Sequence, residues 1–277
     1  MRRWSFAKGH GTENDFVLLL DRDDLMSVGE AEVRFLCDRR TGIGGDGLLR
    51  AVRAKHIESW SGDAELWFMD YRNADGSIAE MCGNGVRVFA KYLLDEGLAS
   101  GPTIPIATRA GLKEATLLAD GRVIVAMGPV EVRRGEITVR TAAGVEFAAT
   151  AVDVGNPHAV IFCDDLEQLS LHPAPTWAPA EAFPDGVNLE FVRAVGPDHL
   201  AMRVLERGSG ETRSCGTGTV AAAAAARQHR ADPNDLPVTF RVDTPGGTVE
   251  VELTAEQAYL TGPAVIVAHG QVAVPDA

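Results

Sequence analysis

Apolar positions along this chain fall mostly in short alternating runs, the period-two pattern of half-buried strands. "ELWFMDYR" (65–72) is rich in aromatic and apolar residues, and "EATLLADGRVIVAMG" (114–128) reads as a hairpin turning at Asp120-Gly121. "EITVR", "AAGVEFAATAVDV" and "HAVIF" carry the pattern through 136–162. "VTFRVDTPGGTVEVEL" (238–253) is two strands about a Pro-Gly-Gly turn, and the apolar "AYLTGPAVIVAHG" follows. A helical period is rarer. It is found over 30–39, where Val33, Leu36 and Cys37 share a face, and after each of two similar stretches, "CGNGVRVFA" (82–90) and "CGTGTVAAA" (215–223). Ala221 to Ala226 is an unbroken alanine run, suited to a buried central helix. The proline-rich "HPAPTWAPAEAFPDG" (172–186) reads as an irregular surface loop.

These elements come in the same order twice: strand, Cys-Gly-x-Gly, helix, strand, turn, strand. "ATRAGLKEATL" (107–117) aligns with "DTPGGTVEVEL" (243–253), and upstream "NDFV" (14–17) and "NPHAV" (156–160) each set an Asn before an apolar run. The repeat points to a duplication, with an N-terminal domain of residues 1–128 plus 263–277 and a C-terminal domain of 129–262. Two such halves facing each other would place Cys82 and Cys215 symmetrically about one cleft.

Composition narrows the function. The chain has 277 residues, 45% of them apolar and 23% charged, as in ordinary globular proteins. A net charge of −13 argues against a nucleic-acid partner, which needs clustered Lys and Arg. No apolar run approaches the roughly 18 residues of a membrane span. The opening "MRRWSFAKGHGTEND" turns polar before a signal-peptide core forms. A cytoplasmic protein without a membrane partner is expected. The four cysteines form no Cys-x-x-Cys pair and stand near no His pair at zinc-ligand spacing, so no metal site is expected. Cys37 and Cys163 follow apolar residues and read as small core side chains. "GIGGDG" (42–47) has the letters of a dinucleotide loop, but a helix-like segment precedes it and a strand-like one follows, so it reads as a glycine-rich turn.

A Gly-x-Gly opening a helix lets backbone amides approach an anion, and the helix's partial positive end favours one. The same field favours thiolate over thiol, so both cysteines are expected to have pKa values lowered toward neutrality. Two such sulfurs facing one pocket suit inversion of a stereocentre, with a base on one face of the carbon and an acid on the other. The enolate-like charge would be stabilised by two helix N-termini, without metal or pyridoxal.

The motifs "FAKGHGTENDFV", "RRTGIGGDG", "RNADGSIAEMCGNGVR", "DVGNPHAV", "GVNLEFV", "ERGSGETRSCGTGTVAA" and "LTGPA" resemble, in order, those of the diaminopimelate epimerase family. The resemblance implies an α+β fold of two pseudo-symmetric domains, each a mostly antiparallel β-sheet wrapped around a central helix. It implies a homodimer that interconverts LL- and meso-diaminopimelate without cofactor. Carried over residue by residue, Cys82 and Cys215 match the catalytic pair, with Cys215 accepting and Cys82 donating the proton in the LL-to-meso direction. Gly83-Asn84 and Gly216-Thr217 match the helix starts that hold the reacting carboxylate. Asn14, Asn73, Asn156 and Asn188 match polar substrate contacts, and Glu206 and Arg207 an acid–base pair reading the substrate's two ends. His158, with Glu206, matches the neighbours that tune the thiols. Gly47 stands where many members have Gln, and Glu13 where a small residue is common.

Other readings compete. A proline or hydroxyproline racemase-like enzyme would share the cysteine pair but not "NPHAV" or "ERGSGET". A hydrolase using one cysteine with His158 would explain a single activated sulfur, not a matched pair. A non-catalytic amino-acid binder would not need both sulfurs.

Overall fold

The first ten-residue strand, β1 (Arg2–Gly11), turns directly into β2 (Asn14–Leu20). Thr12 and Glu13 make that turn with φ of 51° and 61°, the left-handed pair that a two-residue hairpin requires. Glu13 thus holds a tight turn position despite its Cβ. The computed structural model describes residues 1–275.

After the helix α1 (Glu30–Cys37) the chain continues through β3 (Gly47–Arg53), β4 (Trp67–Asn73), α2 (Gly83–Asp95), β5 (Thr103–Thr108), β6 (Gly111–Leu117) and β7 (Val123–Gly128). The last strand, β18 (Val265–Val274), returns to pair with β1. The sheet order is β18-β1-β2-β3-β4-β5-β6-β7. Its pairings run antiparallel, antiparallel, parallel, antiparallel, parallel, antiparallel, antiparallel. These elements form one unit, Met1–Val125 with the segment from Gly262 onward.

The second unit, Ala126–Thr261, contains β8 (Glu131–Arg140), β9 (Glu146–Asp153), β10 (Pro157–Phe162), the short β11 (Thr176–Ala178), β12 (Asn188–Gly196), β13 (His199–Glu206), the short β14 (Gly210–Thr212), α3 (Gly216–Arg227), β15 (Val238–Thr244), β16 (Gly247–Leu253) and β17 (Ala258–Gly262). Its sheet order is β8-β9-β10-β12-β13-β15-β16-β17, and the sequence of pairing senses is the same as in the first unit. The duplication legible in the motifs therefore extends to strand order and sense.

Each sheet wraps its own helix. Strands β1, β2, β3, β4, β5, β6 and β18 contact α2, and β9, β10, β12, β13, β15 and β16 contact α3. Every residue of α3 from Gly216 to Ala226 is buried. The alanine run fits this place, because a side chain of one carbon lets strands approach the helix on all sides at no rotamer cost. In the second unit Val139, Ala159, Ile161, Leu189 and Phe191 build an apolar cluster. The proline-rich stretch 172–186 lies mostly at the surface, as expected, but is not wholly irregular. It adds β11 to the edge of β8, and buried Phe183 and half-buried Trp177 cap that cluster. Prolines break the period but do not keep aromatic side chains out of a core.

"GIGGDG" does link a helix to a strand, α1 to β3, and packing explains its first glycine. A Cβ on Gly42 would lie 1.8 Å from the Phe35 carbonyl oxygen. Gly42→Ala is expected to cost about 1–3 kcal/mol or more of stability, as overpacking against rigid backbone does, readable as a lower urea midpoint. No helix among the described residues is long and apolar enough to cross a membrane.

Candidate active site

Both repeated cysteines sit at the same structural position. Cys82 is the N-cap of α2 and Cys215 the N-cap of α3, each in extended backbone with φ of −141° and −124°. Each sulfur accepts the amide of the residue three on, Gly85 N–H at 3.4 Å and Gly218 N–H at 3.4 Å. The sulfur thus takes the place of the Ser or Asp oxygen that usually caps a helix, which fixes it at the helix's positive end.

Around Cys82, Asn14 at the start of β2 supplies its Oδ1, which accepts from the Cys82 thiol at 3.5 Å and from Asn84 Nδ2 at 3.3 Å. That orientation is set from behind, because Asn14 Nδ2 donates to Asp46 Oδ2 at 2.9 Å. Asp46 is in turn held by Arg39 at 2.8 Å, and Arg39 also bonds Asp15 at 2.6 Å. Burial alone would raise the Asp15 carboxyl, but hydrogen bonds from Arg39 and Lys8 outweigh it and hold the group well below the usual carboxylate range. Arg87, on α2, is fully buried and donates to the Pro263 carbonyl and Thr12 Oγ1, both at 3.3 Å. Burial lowers its pKa to about 10, and negative charge on Cys82 opposes that fall. Asn73, at the end of β4, caps its own turn, with Nδ2 on Ser77 Oγ at 3.0 Å. Gly47 pairs with Phe16 of β2 and Asn73 of β4. A Cβ there would lie 2.6 Å from the Arg72 carbonyl oxygen and 2.7 Å from the Tyr71 ring, so this backbone holds no side chain at that position.

Around Cys215 the chemistry differs. The sulfur lies 3.4 Å from Thr217 Oγ1, which receives Asn156 Nδ2 at 3.4 Å. Asn156 Oδ1 faces His158 Nε2 at 2.9 Å, and His158 Nδ1 faces Glu190 Oε1 at 2.7 Å. His158 and Glu190 are both 0% exposed. Asn188 is spent on backbone, donating to the Pro157 carbonyl at 3.1 Å and accepting the Arg207 amide at 2.9 Å. That clamp fixes the chain beside Glu206, which accepts from Thr212, and the exposed Arg207, which donates to the Asp185 carbonyl at 3.2 Å.

Burial pushes the Cys215 thiol well above its ordinary value, and the carboxylates of Glu206 and Glu190 push it further; the Thr217 and Gly218 bonds act against them. The helix field expected to bring this cysteine toward neutrality is outweighed, because desolvating a thiolate costs more than one cap recovers. Cys37 is buried and inert, its thiol pushed up to about 12 by burial. Half-buried Cys163 packs against the second unit's cluster, and burial raises it too.

Within the first unit the structure joins Asn14, Cys82 and Asn84 by hydrogen bonds, with Asn73 on a separate turn. Within the second it joins Asn156, His158, Thr217 and Cys215, with Glu206 close enough to act on Cys215 by charge. Three residues of this machinery escape sequence reasoning: Asp46, Arg87 and Glu190. Glu190 left a trace, a carboxylate set between the apolar Leu189 and Phe191. No group of three or more His, Cys, Asp or Glu among the described residues is arranged to hold a metal ion.

The sequence matches the diaminopimelate epimerase family model over residues 6–133 and 150–267. It is 51% identical over 276 residues to a diaminopimelate epimerase of Streptomyces coelicolor, covering 97% of this chain and 95% of that one. It is 50% identical over 274 residues to one of Thermobifida fusca, covering 96% and 97%. Among solved structures, a hydroxyproline epimerase from Agrobacterium vitis superposes with a TM-score of 0.71 at 18% identity, covering 99% of this chain and 94% of that one. A Bacillus anthracis phenazine biosynthesis protein of the PhzF family gives 0.70 at 15%, covering 99% and 100%. These distant likenesses establish the two-unit fold. With the family model and relatives half identical over nearly the full length, the chain belongs to the diaminopimelate epimerase family of isomerases.

Proposed function

We propose that this protein interconverts LL- and meso-diaminopimelate by two-base proton transfer, Cys82 and Cys215 serving one α-carbon as acid and base. The observation that carries the reading is the matched pair of N-cap cysteines, each bonded to the amide of its second motif glycine. In the LL-to-meso direction Cys215 takes the proton and Cys82 returns one to the opposite face; in the reverse direction the roles exchange. The helix starts Gly83-Asn84 and Gly216-Thr217 hold the reacting carboxylate, where backbone amides stabilise the enolate-like charge as it develops. Asn14, Asn73, Asn156 and Asn188 present amides able to serve both ammonium and carboxylate groups. Arg207 suits a carboxylate contact and Glu206 an ammonium one. His158 and Glu206 adjust the proton affinity of the thiols. The enzyme works in the cytoplasm as a homodimer, without metal or pyridoxal.

The hydrolase reading loses support from His158. Both its ring nitrogens are committed, to Glu190 and Asn156, whereas a cysteine–histidine hydrolase directs one at the sulfur. Incubation with LL-diaminopimelate in metal-free buffer, followed by chiral chromatography, is expected to yield the meso isomer and settle at the same mixture from either side. Unchanged stereochemistry would refute the reading.

A further inference from the structure

We propose that Glu190 is a positioning residue for Cys215: through His158 and Asn156 it turns the Thr217 hydroxyl hydrogen toward the Cys215 sulfur. The inference rests on the reading that Cys215 exchanges a proton with substrate, and names what prepares that sulfur.

The geometry is a line of four contacts, Glu190 Oε1 to His158 Nδ1 at 2.7 Å, Nε2 to Asn156 Oδ1 at 2.9 Å, Asn156 Nδ2 to Thr217 Oγ1 at 3.4 Å, and Thr217 Oγ1 to Cys215 Sγ at 3.4 Å. Glu190 Oε2 is buried and has no hydrogen-bond partner. Asn156 Oδ1 can only accept, so the 2.9 Å contact puts a hydrogen on His158 Nε2. His158 donates that hydrogen to Asn156 Oδ1, and Glu190 holds the ring in this orientation through Nδ1. The Asn156 amide then directs its NH2 at Thr217, which accepts it and donates onward to the sulfur. A thiolate forming at Cys215 thus meets two donors, the Thr217 hydroxyl and the Gly218 amide.

The other half of the duplication shows that the fold does not require this line. Parallel pairing matches Phe16 with Gly47 and Leu18 with Leu49 in β2–β3, and His158 with Asn188 and Val160 with Glu190 in β10–β12. Phe16 and Leu49 therefore stand where His158 and Glu190 stand, and both are 0% exposed. Contacts at the motif glycines agree: a Cβ on Gly85 would lie 3.4 Å from Leu49 Cδ2, and one on Gly218 would lie 2.8 Å from Glu190 Oε1. The equivalent asparagines also point opposite ways. Asp46 takes the NH2 of Asn14, so Asn14 offers Cys82 an acceptor. His158 takes the oxygen of Asn156, so Cys215 is offered a donor. One half is arranged for a sulfur that gives a proton, the other for one that takes it.

The test copies the apolar half into the polar one, with His158→Phe and Glu190→Leu together, a pair the first unit already buries. The readouts are the rate of Cys215 labelling by iodoacetamide between pH 7 and 10, resolved by peptide mass spectrometry, and kcat and KM in both directions. The carboxylates acting on this sulfur by charge are Glu206 of β13 and Glu190 of β12. The double variant is expected to fold, to label Cys215 about ten- to a hundredfold more slowly, and to lose kcat in like measure with KM little changed. Glu190→Gln, whose NH2 can donate to Nδ1 and leave Nε2–H in place, is expected to retain most of both rates. Labelling of Cys215 in the double variant at the wild-type rate or faster would overturn the proposal, since faster labelling is what removal of a mere negative charge would give. Labelling needs no substrate, so slowed labelling in a protein that epimerises nothing would uphold the positioning and sink the proposed reaction.

Discussion

Cys82→Ser and Cys215→Ser are each expected to lower kcat for epimerisation by roughly 10²- to 10⁴-fold in both directions. A serine hydroxyl is a far weaker acid than a thiol, so it serves poorly as donor and hardly exists as the base. The loss in both directions from either change is the signature of two groups sharing one reaction, because in the proposed two-base transfer each direction uses one sulfur as base and the other as acid. The variants should not be blank, however. Cys82→Ser keeps the Cys215 sulfur with its Thr217 and Gly218 contacts, and should still exchange the α-hydrogen of the isomer facing that sulfur. Exchange without inversion, seen by proton NMR in deuterated buffer, is the expected residue of activity. Each variant should unfold at a urea midpoint near that of wild type, since an oxygen can cap a helix at least as well as sulfur. A single variant that epimerised at near the wild-type rate would show that one cysteine suffices.

Asp70→Ala is expected to destabilise the protein by about 3–5 kcal/mol, more than any exposed substitution. Asp70 on β4 is 0% exposed and bonds Arg50 Nε at 2.9 Å and Arg109 Nη2 at 2.5 Å, with Arg72 Nε at 3.6 Å. Arg50 also holds Asp21 at 2.8 Å and bonds Asp24. Removing the one carboxylate these arginines share leaves buried positive charge with too few partners. Burial by itself would raise the Asp70 carboxyl, but the Arg109 bond and the charges of Arg50, Arg109 and Arg72 bring it below its ordinary value. A lowered folded pKa means stability that is full above the unfolded carboxylate pKa near 4 and is lost as pH falls through the folded one. Wild type should therefore lose urea resistance between pH 5 and 3 more steeply than Asp70→Asn does. Equal slopes would show that Asp70 binds protons alike in the folded and unfolded chain, so that folding does not lower its pKa.

The candidate site and the helices that carry it were legible in sequence because their signals are local. Cys-Gly-x-Gly before an apolar run specifies a cap, a tight helix start and a buried helix within a dozen residues. What escaped depends on partners distant along the chain. Strand β1 shows no strong alternation, and its pairing brings Arg2 opposite Val274. Glu190 owes its meaning to His158, a residue on the neighbouring strand, and Asp46 to Asn14. The Cys215 thiol departs from the sequence expectation for a related reason. A helix field can be read from the sequence, but the burial that outweighs it is set by the whole sheet around α3. Proline content marked 172–186 as irregular without revealing that Phe183 and Trp177 would lie against a core.

Whether two sulfurs act on one carbon from opposite faces can be read from the early time course in deuterated water. Starting from LL-diaminopimelate, the first meso product is expected to carry one deuterium at the inverted α-carbon, while recovered substrate carries almost none. Each acid delivers a solvent-derived proton, and in wild type the second sulfur quenches the intermediate before the abstracting thiol can exchange its substrate-derived hydrogen with solvent. Equal early labelling of recovered substrate and product would mean that one base serves both faces, and would contradict the account.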